Sequence, residues 1–261
     1  MNIVSQVLSQ KNQENSCALI PFITAGYPDF DTTIEALHII DKQGADIIEL
    51  GIPYADALAD GYIIQESSRI ALEQGIYIDQ VFSILEKTCH KLSSPLIIFT
   101  YYNPILVKGI ELFIKKISCL GVKGLVIPDL PIEEVDYLLS LCKFYNIELI
   151  LFVAPTSSQS RISHILSKSP GCIYLVSSTG VTGARNSIDS SVIHLSDYIK
   201  KNTNKLVMIG FGISNPDQAS YISKWNIDGI VVGSAMIQAI SKDVSLKNLS
   251  IFCKSMKNAI N

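Results

Sequence analysis

The chain has 261 residues, 48% hydrophobic and 17% charged, with a formal net charge of −3 and no basic run. It is long enough to bury a large core as one domain, 1–261, and long for one domain unless that domain is a barrel. The charge balance argues against a nucleic-acid footprint or a polybasic membrane anchor.

Residues 1–13 are polar with isolated apolar positions. They carry neither the apolar centre of a signal peptide nor the arginine-rich character of a transit peptide, and no apolar run approaches a bilayer span. The expected compartment is the cytoplasm, or a plastid stroma, since the abundant Ile, Lys, Asn and Ser suit an AT-rich genome. Six cysteines, Cys17, Cys89, Cys119, Cys142, Cys172 and Cys253, form no CxxC pair and read as reduced core thiols.

From the N-terminus onward, apolar strand-like runs alternate with amphipathic segments. The strands fall at 18–24, 46–50, 96–101, 124–127, 148–153, 172–176, 206–210 and 229–232. They are short, rich in β-branched residues and nearly continuous in hydrophobicity, as strands buried on both faces are. Ile110, Phe113, Ile114 and Ile117 recur at helical spacing, as do Val135, Leu138, Leu139 and Cys142. Asn215-Pro216 reads as an N-cap followed by proline at the first helical position. Leu246, Leu249, Cys253 and Met256 mark a closing helix. Eight strands, each followed by a helix, predict a (β/α)₈ barrel with short extra N-terminal, phosphate-site and C-terminal helices. A doubly wound open sheet is the weaker alternative, because no GxGxxG follows the first strand.

In such a barrel the chemistry sits at the C-terminal ends of the strands and in the loops after them. The segment Glu49-Leu50-Gly51-Ile52-Pro53-Tyr54-Ala55-Asp56-Ala57-Leu58-Ala59-Asp60-Gly61 leaves the second strand on that face. A carboxylate in a buried strand is costly to desolvate, so Glu49 is either a paired structural charge or a functional acid/base. Asp56 and Asp60 follow in the loop. Phe22, Tyr101 and Asp129 fall at the ends of, or just after, strands 1, 3 and 4. The four histidines, His38, His90, His164 and His194, all lie on helical stretches away from this face.

Three glycine-bearing segments follow strands 6, 7 and 8: Thr179-Gly180-Val181-Thr182-Gly183, Gly210-Phe211-Gly212-Ile213-Ser214 and Val232-Gly233-Ser234-Ala235. The last opens a short helix. Glycine lets backbone N–H groups approach an anion closely, and a helix N-terminus offers free donors and a favourable dipole. Loops after strands 7 and 8 plus a short helix make the recurrent phosphate site of these barrels, so a phosphorylated ligand is expected.

Together with Pro21-Phe22-Ile23-Thr24-Ala25-Gly26-Tyr27-Pro28-Asp29, Tyr101-Tyr102-Asn103-Pro104 and Pro128-Asp129-Leu130-Pro131, these segments resemble the tryptophan synthase α subunit family over nearly the whole chain. The resemblance implies a TIM barrel that cleaves indole-3-glycerol phosphate to indole and glyceraldehyde 3-phosphate. It implies no cofactor in this chain, no metal, and a partner β subunit carrying pyridoxal phosphate, in an α2β2 heterotetramer. By residue, it implies Glu49 as acid/base and Asp60 as acceptor of the indole N–H. Thr182 would orient that aspartate, and Tyr174 would lie close to the glutamate. Phe22, Phe99, Tyr101 and Val126 would line the substrate slot, and Gly183, Gly212, Gly233 and Ser234 would hold phosphate. Asp56, Asn103, Pro104 and Pro131 would face the β subunit.

Ala55, Ala57 and Tyr62 stand where the family carries serine and two prolines, and Ser178 stands where several members carry arginine. Fewer prolines leave the free loop less restricted. Two other functions therefore stay open: a catalytically weak subunit that chiefly activates β, and a stand-alone indole-releasing lyase. Sugar-phosphate epimerase and amidotransferase barrels lack a counterpart of the Glu49–Gly61 pattern.

Overall fold

The computed structural model describes residues 2–176, 190–210, 212–242 and 245–261. Eight parallel strands, each paired with its neighbours in chain order, close into a barrel: β1 (Ala18–Thr24), β2 (Ile48–Gly51), β3 (Leu96–Phe99), β4 (Gly124–Val126), β5 (Glu148–Val153), β6 (Cys172–Val176), β7 (Leu206–Gly210) and β8 (Gly229–Val232). β8 returns to β1 with Gly229 opposite Ala18. Successive strand residues point to opposite faces. Ile20, Phe22, Ile47, Ile97, Val126, Ile150, Tyr174, Met208 and Val231 fill the barrel interior. The intervening residues, such as Ile23, Leu50, Ile98, Leu125, Ile173 and Ile230, pack outward against the helices. Burial on both faces is why these strands are hydrophobic at nearly every position.

The outer ring comprises α2 (Phe30–Lys42), α3 (Tyr62–Glu73), α4 (Ile78–Thr88), α5 (Tyr102–Lys108), α6 (Ile110–Cys119), α7 (Val135–Phe144), α8 (Gln159–Lys168), α9 (Ser190–Asn202), α10 (Pro216–Ile222), α11 (Ser234–Ser241) and α12 (Lys247–Ile260). The predicted stripes hold: Phe113, Ile114 and Ile117 are buried on α6, and Val135, Leu138 and Cys142 on α7. Asn215 caps α10, its side chain accepting from the Gln218 N–H at 2.9 Å.

Two features differ from the sequence reading. First, the connections after β2 and β3 each hold two helices. The breaks fall at Gly75 and Gly109, whose φ angles of +77° and +88° suit glycine. Second, strands 2, 3 and 4 are shorter than predicted. Asp46 and Ile47 both donate to the Leu19 carbonyl before the β2 ladder begins, and Tyr101 is not a strand end but the N-cap of α5.

α1 (Ile3–Gln13) closes the opposite, N-terminal end of the barrel, placing Val4 and Leu8 among the interior side chains. Glu148 fastens it. Its carboxylate accepts from the Ser5 N–H (3.1 Å), the Ser5 Oγ (2.5 Å) and the Cys172 N–H (2.9 Å).

Candidate active site

Glu49 is the second residue of β2, in register with Phe22 of β1 and Ile97 of β3, with Leu50 and Gly51 continuing the strand toward the mouth. The alternation of the strand turns its side chain into the barrel. It is fully buried, and neither carboxylate oxygen has a hydrogen-bond partner among the described residues. The carboxylates at the barrel floor, Asp228 buried and Asp46 half-buried, contrast with it. Asp228 accepts from the Val207 N–H at 2.6 Å and pairs with Lys200, and Asp46 accepts from the Leu19 N–H at 2.8 Å and pairs with Lys257. Those charges are matched and structural; Glu49 is matched by nothing among the described residues. Burial, and after it the nearby charge of Asp60, push its carboxyl up to about 8.

Asp60 sits near the end of the β2–α3 loop, one residue before Gly61, the N-cap of α3. It is buried, and its Oδ2 accepts from the Tyr101 Oη at 3.1 Å. The same phenol oxygen accepts from the Ala59 N–H at 3.0 Å. Burial raises the Asp60 carboxyl to about 6, with the Tyr101 bond opposing the rise. Tyr101 is held well above the usual phenol range by burial and then by the charge of Asp60, so it stays a donor. The two carboxyls thus titrate apart. Near neutrality Glu49 holds a proton and Asp60 has lost one, the division of labour that acid/base sites use.

Apolar walls surround this pair. Phe22 meets Phe99 edge-on with ring centroids 5.7 Å apart, and Phe99 meets Tyr101 edge-on at 6.2 Å. Val126 and Tyr174 are buried in the same interior cluster. Tyr174 is pushed well above its ordinary range by burial and then by the charges of Glu49 and Asp60, which places it beside both acids. Space for two of the rings depends on glycine. A Cβ at Gly51 would lie 2.6 Å from the Phe22 ring, and one at Gly210 would collide with the Tyr174 ring. The sequence reading missed Phe152, whose ring stacks on Tyr174 at 4.8 Å; the alternation of β5 points it inward with Ile150. It also missed Ile64, on the first turn of α3.

At the far end of the slot, Gly233 caps α11. The first backbone bonds of that helix run from Met236 and Ile237 to the Gly233 carbonyl, so the Ser234 and Ala235 N–H groups lie ahead of the ladder. A Cβ on Gly233 would come within 3.4 Å of Phe22 and 3.5 Å of Ile64, which ties this helix end to the apolar slot. Gly212 is exposed in the β7–α10 loop. Thr182 and Gly183 lie outside the described residues, as do Ser178 and Arg185.

On the rim, Asp56, Asn103 and Pro131 are exposed and Pro104 is half-buried. Asp129 accepts from the Tyr102 N–H at 2.9 Å, a capping role for α5. Among the described residues no group of three or more His, Cys, Asp or Glu side chains converges as a metal site would require.

Comparison with known proteins agrees with this geometry. A profile of the family described as "Tryptophan synthase alpha chain" matches residues 8–261. The tryptophan synthase alpha chain of Gracilaria tenuistipitata var. liui is 63% identical over all of this chain and 97% of its own length. That of Synechocystis is 48% identical over the full length of both. Among solved structures, a tryptophan synthase chain from Mycobacterium tuberculosis superposes with a TM-score of 0.91 at 29% identity, covering 98% of this chain and 96% of that one. An Aquifex aeolicus protein also reaches 0.91 at 30% identity over the whole of both. This closed eight-stranded barrel, with a buried glutamate in its second strand that has no partner among the described residues, is matched end to end by these sequences, and the chain belongs to the tryptophan synthase alpha chain family.

Proposed function

We propose that Glu49 and Asp60 carry the α reaction of tryptophan synthase in this chain. The family's reaction is the retro-aldol cleavage of indole-3-glycerol phosphate to indole and glyceraldehyde 3-phosphate; the protein is a carbon–carbon lyase of tryptophan biosynthesis. The alpha chain binds no cofactor of its own, and pyridoxal phosphate belongs to the β subunit. The observation that carries the residue assignment is the fully buried Glu49 carboxyl, unpartnered among the described residues, beside a second buried acid.

In this reading neutral Glu49 gives its proton to carbon 3 of the indole ring. The resulting carboxylate takes the proton of the side-chain hydroxyl. The carbon–carbon bond then breaks, its electron pair returning to the protonated indolenine. Ionised Asp60 accepts the indole N–H and stabilises the positive charge that grows on the ring. Phe22, Phe99, Tyr101, Val126 and Tyr174 enclose the ring, and Thr182 orients Asp60. Gly183, Gly212, Gly233 and Ser234 hold the phosphate. The chain acts as one domain, 1–261, which fits the packing of α12 between α2, α10 and β1.

Activity in this scheme requires Asp60 ionised and Glu49 protonated. The pH profile of kcat/KM for indole release is therefore a bell, falling in acid below about 6 and in base above about 8. A flat profile between pH 5 and 9 would remove both carboxyls from the mechanism.

The phosphate assignment predicts that Gly233→Val raises KM at least tenfold with folding preserved. A Cβ there meets Phe22 and Ile64 at ordinary contact distances, and the branched side chain covers the end of α11 that an anion needs. If dephosphorylated substrate were turned over equally well by the unaltered chain, the site would be misplaced.

Family membership brings a β-subunit partner. We propose an α2β2 heterotetramer in which Asp56, Asn103, Pro104 and Pro131 face that subunit. Leu58 in the β2–α3 loop and Leu106 and Val107 on α5 are exposed apolar side chains, a surface suited to a protein partner. The relatives from red algae favour the plastid stroma as its compartment; no helix among the described residues is long and apolar enough to cross a membrane. The partner orders the loop carrying Asp60. Free chain shows weak indole release, raised strongly by β, and amide exchange in residues 53–62 slows in the complex. Equal activity with and without β would favour a stand-alone lyase; no indole release in either state would favour a purely activating subunit.

A further inference from the structure

The β2–α3 loop and the start of α5 are joined twice. The inner link is the Tyr101 Oη, which donates to Asp60 and accepts from Ala59. The outer link is Asn103, whose Nδ2 donates to the Tyr54 Oη at 3.3 Å. Between the two links the rings of Tyr54 and Tyr101 stack, with centroids 5.2 Å apart and planes inclined by 33°. Tyr54 is six residues before Asp60 in one loop, and Asn103 is two residues after Tyr101 in the other, so the four side chains close a ring across the gap. Pro53 and Pro104 stiffen the backbone beside the outer link.

Tyr101 needs that support. It lies past the end of β3 at the N-cap of α5, where no ladder bond fixes its ring. Phe99 meets it edge-on from the barrel side, and Tyr54 is the ring that covers its other flank. Ala55, Ala57 and Ala59 in the same loop have no side chain long enough to do so.

We propose that Tyr54 is a positioning residue for the α reaction: its ring, stacked on Tyr101, holds the phenol that aims the Asp60 carboxylate. The inference rests on the assignment of Asp60 above. It adds a residue that touches neither substrate nor the reacting atoms and acts through Tyr101. An aromatic pair of this kind contributes about 0.5–1.5 kcal/mol beyond its area, which corresponds to about a two- to tenfold change in rate. Losing it also frees Asp60 from a hydrogen bond that favours its ionised form. The other groups facing Asp60 are Glu49 and Tyr174 on β2 and β6.

The test measures indole release by Tyr54→Leu and Tyr54→Phe, each as free chain and with saturating β subunit, with thermal unfolding followed in parallel. Tyr54→Leu should lower kcat about three- to tenfold and leave KM within twofold, since the phosphate contacts are remote. Its acid limb should move to higher pH. Tyr54→Phe keeps the ring and should stay within twofold of the unaltered chain, with the limb in place. In an Asp60→Asn background Tyr54→Leu should cost less than twofold, because there is no carboxylate left to aim.

Four results would overturn the proposal. In the first, folded Tyr54→Leu keeps normal kcat and acid limb. In the second, Tyr54→Phe loses as much as Tyr54→Leu. In the third, the loss is confined to the β complex, which would make Tyr54 an interface residue. In the fourth, the loss is equal in the Asp60→Asn background. An unaltered chain that releases no indole with β present fails the reaction assignment itself, and is thereby distinguished from all of these.

Discussion

Glu49→Gln should leave a folded protein with almost no indole release. Glutamine is isosteric but can neither protonate carbon 3 nor accept the hydroxyl proton, so kcat falls by about 10²–10⁴-fold while substrate binding largely persists. The same variant should be more stable than the unaltered chain in base. The folded carboxyl titrates at about 8 against a reference value of 4.5, so the folded protein retains a proton that the unfolded chain releases. Stability is fully present below 4.5, declines as pH rises toward 8, and stays lost above it. At about 1.4 kcal/mol per pH unit the loss is at most about 5 kcal/mol, and the neutral amide of the variant escapes it. Melting curves at pH 9 and pH 5 check this: the Glu49→Gln gain should be several degrees at pH 9 and vanish at pH 5. Near-normal turnover by the folded variant would remove Glu49 from the chemistry, and an equal gain at both pH values would mean that its charge is not the source of strain.

Glu148→Ala should do the reverse, damaging the fold and sparing the chemistry. Glu148 is as buried as Glu49, but its carboxylate accepts three hydrogen bonds from Ser5 and Cys172. Truncation leaves those donors unsatisfied inside the barrel floor and opens a cavity beneath α1. Breaking such a buried network costs about 3–5 kcal/mol, and for a chain of this size that lowers Tm by roughly 10 °C. Ser5→Ala removes one of the three bonds and should cost about 1 kcal/mol. KM and kcat of the folded fraction should not move, since Glu148 lies at the far end of the barrel from Glu49. If Glu148→Ala and Ser5→Ala cost the same small amount, the carboxylate is not what fastens the helix.

The barrel was legible in the sequence because its strands are buried on both faces, which leaves unbroken apolar runs such as Ile173–Leu175 and Val207–Ile209. The position of Glu49 was legible for the same reason: one carboxylate interrupts such a run near a strand's mouth end. Periodicity could not tell a matched buried carboxylate from an unmatched one. Glu148, Asp46 and Asp228 sit beside apolar runs much as Glu49 does, and only the three-dimensional partners of each separate floor from site. The paired helices after β2 and β3 went unread because the breaks are short, four residues around Gly75 and the single Gly109. Tyr101 read as a strand residue because its neighbours are aromatic and β-branched. Its turn into α5 depends on Asp129, 27 residues later, holding the Tyr102 N–H. Tyr54 looked like an ordinary loop aromatic for the same reason: its partners, Tyr101 and Asn103, belong to the start of α5.

The stopper at the barrel floor has a consequence for how the chain is made. α1 is synthesised well before the carboxylate that receives it, which lies 143 residues downstream of Ser5. Its second neighbour, Cys172, arrives later still. Until β5 and β6 have been synthesised, Val4 and Leu8 lack the barrel floor they fill, and these apolar side chains of α1 stay unanchored. Synthesis at about 5–20 residues per second makes that interval roughly ten to thirty seconds. An element made long before its seat depends on long-range contacts, a burden that slows folding and lengthens exposure to aggregation and to chaperones.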